Sequence, residues 1–173
     1  MSEDAAIPLR RKQYRGFGDQ LYHQTPSWVR TDAIFHVRIS LEFGSAVSLI
    51  EPSLAQPLLE SVEFYQKQQR WWPHVFLLMP DHLHALVRFG MLHGLRKTVS
   101  DWKRFHACKL GIPWQENFFD HRLRGHDAQW RAKAQYIARN PVASGLCKSE
   151  ADWPWVYHAP LTSIETRLGS SEF

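Results

Sequence analysis

Cysteine is scarce. The 173 residues hold two, Cys108 and Cys147, and these form neither a CxxC pair nor a zinc-type spacing. A disulfide framework is excluded, and both thiols are expected to be reduced and buried in a cytoplasmic protein. No stretch approaches the length of a membrane helix. The acidic opening Met1-Ser2-Glu3-Asp4-Ala5 lacks the apolar run of a secretory signal, so no membrane partner is expected. There is no GxxxxGK[ST] phosphate loop, no internal repeat and no low-complexity tract. Neither sign of charge dominates: 21 Lys+Arg against 17 Asp+Glu leave a formal +4, compatible with a nucleic-acid partner without requiring one. Aromatics and histidine, by contrast, are plentiful. Eight Trp and ten Phe favour a well-packed sheet or a surface that stacks on bases, and ten His raise the question of imidazole-based metal chemistry.

The length suits one domain with a real core. Residues 1–30 read as a basic N-terminal arm (Arg10, Arg11, Lys12, Arg15), with Gly16, Gly18 and Pro26 opposing regular structure. It is either a disordered terminus or a DNA-contacting arm. Residues 31–160 read as the catalytic domain and 161–173 as a C-terminal tail. Ile34 to Leu41 is β-branched and roughly alternating, which predicts a strand. Pro52 opens a helical pattern through Leu54, Leu58, Val62 and Tyr65. Val75–Met79, the breaker Pro80-Asp81 and Leu83–Phe89 predict a hairpin. Leu92, Leu95, Val99, Trp102 and Phe105 predict a long helix, ended by Gly111 and Pro113. A short strand over 118–123 and a helix from Asp127 to Arg139, stopping at Pro141, follow. The expected class is α+β: a ferredoxin-like βαββαβ unit with an antiparallel sheet and an additional C-terminal helix.

Two patterns carry chemistry. In Met79-Pro80-Asp81-His82-Leu83-His84, residues i and i+2 of a strand share a face, so His82 and His84 project side by side. Both can donate a lone pair to one cation, although an isolated HxH is also compatible with two unrelated strand histidines. On the last helix, Trp130, Ala134 and Ile137 form the apolar stripe, and at about 100° per residue Tyr136 lies off it. Asn140 follows one turn on, and Lys133 and Arg139 flank the tyrosine, placed to attract a phosphate. The plainer alternative is a surface tyrosine followed by a helix-ending Asn before Pro141. On the long helix, Arg96, Lys103, Arg104 and Lys109 fall on the polar side, as a solvated face or as phosphate contacts.

Taken together, Met79-Pro80-Asp81-His82-Leu83-His84, Tyr136-Ile137-x-x-Asn140-Pro141-Val142 and the intervening Trp114-Gln115-x-x-Phe118-Phe119-Asp120-His121-x-x-Arg124 resemble the REP-associated tyrosine transposases, single-tyrosine members of the HUH superfamily. The resemblance covers about residues 25–158, including Thr25-Pro26-Ser27-Trp28. It implies His82, His84 and Asn140 as metal ligands, with Mg²⁺ or Mn²⁺ as the metal, and Tyr136 as the nucleophile. Arg122, Arg124 and Trp102-Lys103-Arg104 fall in motif regions without an individual role. The implied reaction is cleavage and rejoining of single-stranded DNA near REP-like palindromic hairpins, through a 5′-phosphotyrosine, by a monomer or homodimer. A rolling-circle replication initiator shares the histidine pair and has a similar Tyr-x-x-Lys, against Tyr136-x-x-Arg139 here. A non-catalytic module of the RNA-recognition type shares the βαββαβ order but presents stacking aromatics on its central strands.

Overall fold

The computed structural model describes residues 33–123 and 127–158. The basic arm, the Thr25–Trp28 motif, Arg124 and the 161–173 tail lie outside the described residues. The elements are β1 (Ile34–Ser40), α1 (Pro52–Lys67), β2 (Trp71–Leu78), β3 (His82–Phe89), α2 (Gly94–Leu110), β4 (Phe119–Arg122), α3 (Asp127–Ala138), α4 (Asn140–Ala143), a 3₁₀ turn at Glu150–Asp152 and β5 (Val156–His158). The strands form one antiparallel sheet in the order β4-β1-β3-β2-β5. The first four strands and two helices make the expected ferredoxin-like unit, with β3 between β1 and β2.

Each sheet face has its own cover. Phe35, Val37 and Ile39 of β1 and Leu83, Ala85 and Val87 of β3 face α1 and α2, where Leu58, Val62, Leu95, Val99 and Trp102 complete the larger core. The opposite face is covered over β2 and β3 by α3: Val75, Leu77, Met79 and Leu86 enclose Ile137 together with Trp153. Burial on both faces explains why Leu83–Val87 reads as an unbroken apolar run apart from His84. The aromatic surplus is spent largely on the core, where Trp102 lies 5.9 Å from Trp71, 5.5 Å from Phe76 and 5.7 Å from Trp114 between ring centroids.

A register shift in β2 between Pro73 and Val75 lets His74 turn toward α3, where its ring stacks on Trp130 at 5.6 Å. Pro73 has no N–H to give the ladder, which is why the irregularity falls there. Gly111, at φ 66°, closes α2 by receiving the chain in the left-handed region, its N–H donating to Ala107 O. Gly90 is required by close approach, because a Cβ there would run into the Gln69 carbonyl.

Several expectations need correction. Leu92 precedes α2 and is exposed, and Phe105 is half exposed. The buried face of α2 instead runs through Leu95, Thr98, Val99, Trp102, Lys103 and His106. Hydropathy favours Phe105 over His106, but the 95–99–102–106 spacing keeps to one side of the helix. Cys108 is exposed on the outer side of α2 and Cys147 is only partly covered. The last long helix ends at Ala138, before Pro141 as expected, but Pro141 itself occupies the first turn of the short helix α4, where a missing N–H costs nothing. The edge strand β5 was not expected. It is held by Leu78 N–H donating to Trp155 O at 2.9 Å and by Trp153 Nε1–H donating to Leu78 O at 3.0 Å.

Candidate active site

The β2–β3 turn fixes where the histidines begin. Met79 N–H donates to His82 O at 2.8 Å across Pro80-Asp81, while Leu41 and Leu49 N–H donate to the Asp81 and Pro80 carbonyls at 2.9 Å. His82 and His84 therefore leave a tightly held strand start and project to the face that carries α3. Across β1, His84 is opposite Arg38, and Ser40 is opposite His82. One strand further out, His121 of β4 is opposite His36, and Phe119 is opposite Arg38.

The result is a hydrogen-bonded row. Asp81 Oδ1 accepts from His82 Nδ1 at 2.7 Å, His82 Nε2 and His84 Nε2 are 3.1 Å apart, and His84 Nδ1 and His36 Nε2 are 3.0 Å apart. His36 and His84 are buried and His82 is half-buried. Burial, reinforced by Lys133, His121 and Arg38, depresses the pKa of His36 to about 4. Burial, then the neighbouring His82, His36, Arg38 and Lys133, depresses His84 to about 3. Burial also lowers His82, with the Asp81 hydrogen bond opposing. Partial burial opposes ionisation of Asp81, but the hydrogen bond from His82 holds its carboxyl below the ordinary value. All three imidazoles are thus neutral near pH 7, and the Asp81–His82 contact is a hydrogen bond from a neutral ring to a carboxylate.

An ionised carboxylate accepts only, so His82 carries its proton on Nδ1 and keeps a lone pair on Nε2. In the metal-free row His84 Nε2–H can donate to that lone pair; with its proton moved to Nδ1 and donated to His36, His84 Nε2 becomes a second lone pair facing the first. Two nitrogens 3.1 Å apart suit neighbouring positions on one cation, which at about 2.0–2.2 Å from each would subtend roughly 90–100°. The donor chemistry therefore fits a divalent ion, with Asp81 and His36 as the outer partners that fix ring orientation. The pair cannot hold the ion alone, and among the described residues no group of three or more His, Cys, Asp or Glu side chains is arranged to do so.

Tyr136 is 57% exposed on α3, off the stripe that buries Ile137, as its sequence position predicts. Lys133 connects it to the histidines: its ammonium lies 4.9 Å from the Tyr136 ring centroid, and its charge is felt by both His36 and His84. Asn140 Nδ2 donates to Tyr136 O at 2.9 Å and Ile137 O at 3.2 Å. Pro141 has no N–H to give Ile137 O, and the Asn140 side chain supplies one in its place. Because both neighbours are carbonyls, the amide nitrogen must face them, which leaves Oδ1 as the atom available to a cation.

The predicted cations separate. Lys133 lies at the site. Arg139 is paired with Glu150 at 3.3 Å. Arg122 is opposite Phe35, whose side chain joins the larger core, so its position is on the α1–α2 face. Arg96 and Arg104 are exposed on α2, in the layer on the other side of the sheet from the histidines, and Arg104 pairs with Asp101 at 3.5 Å. Lys103 is buried, with its ammonium donating to the Gln115 and Glu116 carbonyls at 2.6 and 2.7 Å, so it braces the chain leaving α2. Sequence reasoning missed His36 and Arg38. Their only signal was alternation in β1, and their meaning depends on the β1–β3 register.

The fold and site together define a ferredoxin-like domain with a histidine pair and a tyrosine-bearing helix on one sheet face. The chain is similar to the REP-associated tyrosine transposase of Escherichia coli (strain K12), 30% identical over 87 residues, which are 47% of this chain and 51% of that protein. The match thus spans about half the length of that curated relative. It shares its fold with a solved REP-associated tyrosine transposase bound to a REP hairpin, at a TM-score of 0.63 and 20% identity over 73% of this chain and 77% of that one. No protein-family profile matches the chain. Among the described residues no helix is long and apolar enough to cross a membrane.

Proposed function

We propose that this chain is a single-tyrosine transposase or endonuclease that cleaves and rejoins single-stranded DNA beside a palindromic hairpin. The observation that carries the reading is the pair of imidazole nitrogens 3.1 Å apart, oriented from behind by Asp81 and His36, on the face where α3 presents Tyr136. His82, His84 and Asn140 Oδ1 would hold Mg²⁺ or Mn²⁺, with DNA phosphate and water completing an oxygen-rich shell. Such an ion, when bound, supplies positive charge at the scissile phosphate. Tyr136 Oη attacks phosphorus, a P–O bond to tyrosine forms, and the P–O3′ bond breaks. The phenol loses its proton and the departing 3′-oxygen gains one. The product is a 5′-phosphotyrosine, whose bond energy lets a second 3′-hydroxyl reverse the step. Lys133, above the phenol ring, attracts the phosphate. α3 docks on its own sheet through Ile137, which supports a site completed within one chain.

A binding module of the RNA-recognition type is disfavoured because it needs an open sheet face for base stacking, and Ile137 and Trp153 cover that face over β2 and β3. The test is incubation of 5′- and 3′-labelled hairpin DNA with Mn²⁺, resolving covalent adduct on a denaturing gel. Tyr136→Phe should abolish the adduct and leave hairpin binding within a few-fold, since it removes one exposed oxygen. An adduct persisting in that variant would assign the nucleophile elsewhere. Tyr65 is buried beside Trp71 and Tyr157 Oη donates to Gln66, so both have structural roles already.

A further inference from the structure

The side of the sheet that bears the histidines extends beyond them onto β1 and β4, where Arg38, Phe119 and His121 are exposed. Arg38 stands at its centre, opposite His84 on one side and opposite Phe119 on the other, so the three side chains share a face. With strands about 4.8 Å apart, they form a band about 10 Å wide leading away from the histidine pair. Arg38 is exposed, and its side chain makes no hydrogen bond or ion pair among the described residues. Asp81, whose carboxylate feels the Arg38 charge, is hydrogen-bonded to His82. Its charge nevertheless reaches His36, Asp81, His82 and His84, which places the guanidinium beside the site. Phe119 is 55% exposed, and its ring meets His36 edge to face at 5.8 Å and 67°, leaving aromatic surface open to solvent.

We propose that Arg38 and Phe119 form a platform for the single-stranded nucleotide adjoining the scissile phosphate, with Arg38 on the phosphate and Phe119 stacked on the base. The chemistry points to single-stranded nucleic acid. An exposed planar guanidinium recognises phosphate oxygens, an open aromatic face recognises any base, and the two alternate at strand spacing. A double helix would bury its bases away from Phe119. The proposal rests on reading His82 and His84 as the cleavage site, since that reading sets which phosphate is adjacent.

Binding measured in EDTA separates the two ideas. Fluorescence anisotropy would compare a hairpin carrying a single-stranded flank with the same hairpin without it, across a range of salt. Phe119→Ala should weaken binding of the flanked hairpin by about 5- to 150-fold, the worth of one base–aromatic stack. Arg38→Gln should weaken it too, and lower the slope of log affinity against log salt by about 1. Phe119→Trp should retain binding. The flank-free hairpin should bind all variants like the parent, and Arg96→Gln on the opposite layer should leave both substrates unaffected. Parental affinity and salt slope in Arg38→Gln and Phe119→Ala would overturn the platform, as would equal losses on the flank-free hairpin. Absence of a Tyr136 adduct in the parent would instead sink the cleavage reading, while the EDTA binding data would still decide the platform.

Discussion

Asn140 is asked to do two things at once, and truncating it separates them. Its amide nitrogen donates to Tyr136 O and Ile137 O, replacing the N–H that Pro141 lacks, and its oxygen is the proposed third ligand. Each hydrogen bond is worth about 0.5–1.5 kcal/mol net. Both carbonyls sit near a half-exposed helix end where water can replace the donor, so losing the pair should cost about 1–2 kcal/mol locally. That corresponds to roughly 5- to 30-fold more frequent opening of the last turn of α3, readable as faster amide exchange around Arg139. Asn140→Ala should therefore speed exchange there and also raise the Mn²⁺ concentration required for cleavage, with a smaller loss of rate than removal of either histidine. Asn140→Asp keeps an oxygen donor but has no N–H, so it should fray the helix end while retaining the parental metal requirement or lowering it. If Asn140→Ala frays α3 yet its Mn²⁺ titration and rate superimpose on the parent's, the ligand role is refuted and Asn140 is a helix-end brace only. His121, on the same sheet face as His36, would then be the next ligand to test.

His82→Ala and His84→Ala should each remove metal-dependent cleavage, and EDTA should remove it from the parent, because one imidazole cannot hold the ion in place; cleavage undiminished in EDTA would falsify the metal assignment. His36→Phe should weaken Mn²⁺ binding, followed by the paramagnetic signal of the free ion, whereas His36→Gln, which can still accept from His84 Nδ1, should recover part of it. Equal binding by both variants and the parent would mean that the 3.0 Å contact orients nothing. Acid should destabilise the fold through His106, whose Nδ1 bonds Trp102 O while Nε2 is buried without a partner among the described residues, and whose pKa burial depresses from 6.5 to about 4. The unfolded chain takes up this proton first, so stability is full above about pH 6.5 and falls toward pH 4, by at most about 3 kcal/mol from this group. Denaturant melts at pH 7 and pH 4.5 should show a smaller difference in His106→Leu than in the parent.

Local pattern was enough for those features that depend on neighbours in the chain. The i, i+2 spacing of a strand places His82 and His84 on one face whatever lies beside it, and the 100° step of a helix separates Tyr136 from Ile137 before any packing is known. Strand and helix periodicity, punctuated by Pro80, Gly111 and Pro113, likewise carries the βαββαβ order. What required the tertiary structure is everything set by pairing between distant segments. His36 reaches His84 across 48 residues, and Arg38 and Phe119 become neighbours only because β1 lies between β3 and β4. Lys103 looks like a surface cation until the rotation of α2 turns it inward onto two carbonyls. The strand at 156–158 carries little alternation of its own and forms because β2 presents an unpaired edge. Backbone periodicity is written residue by residue, whereas register and helix rotation are settled by which whole arrangement buries the most apolar surface with its polar groups paired.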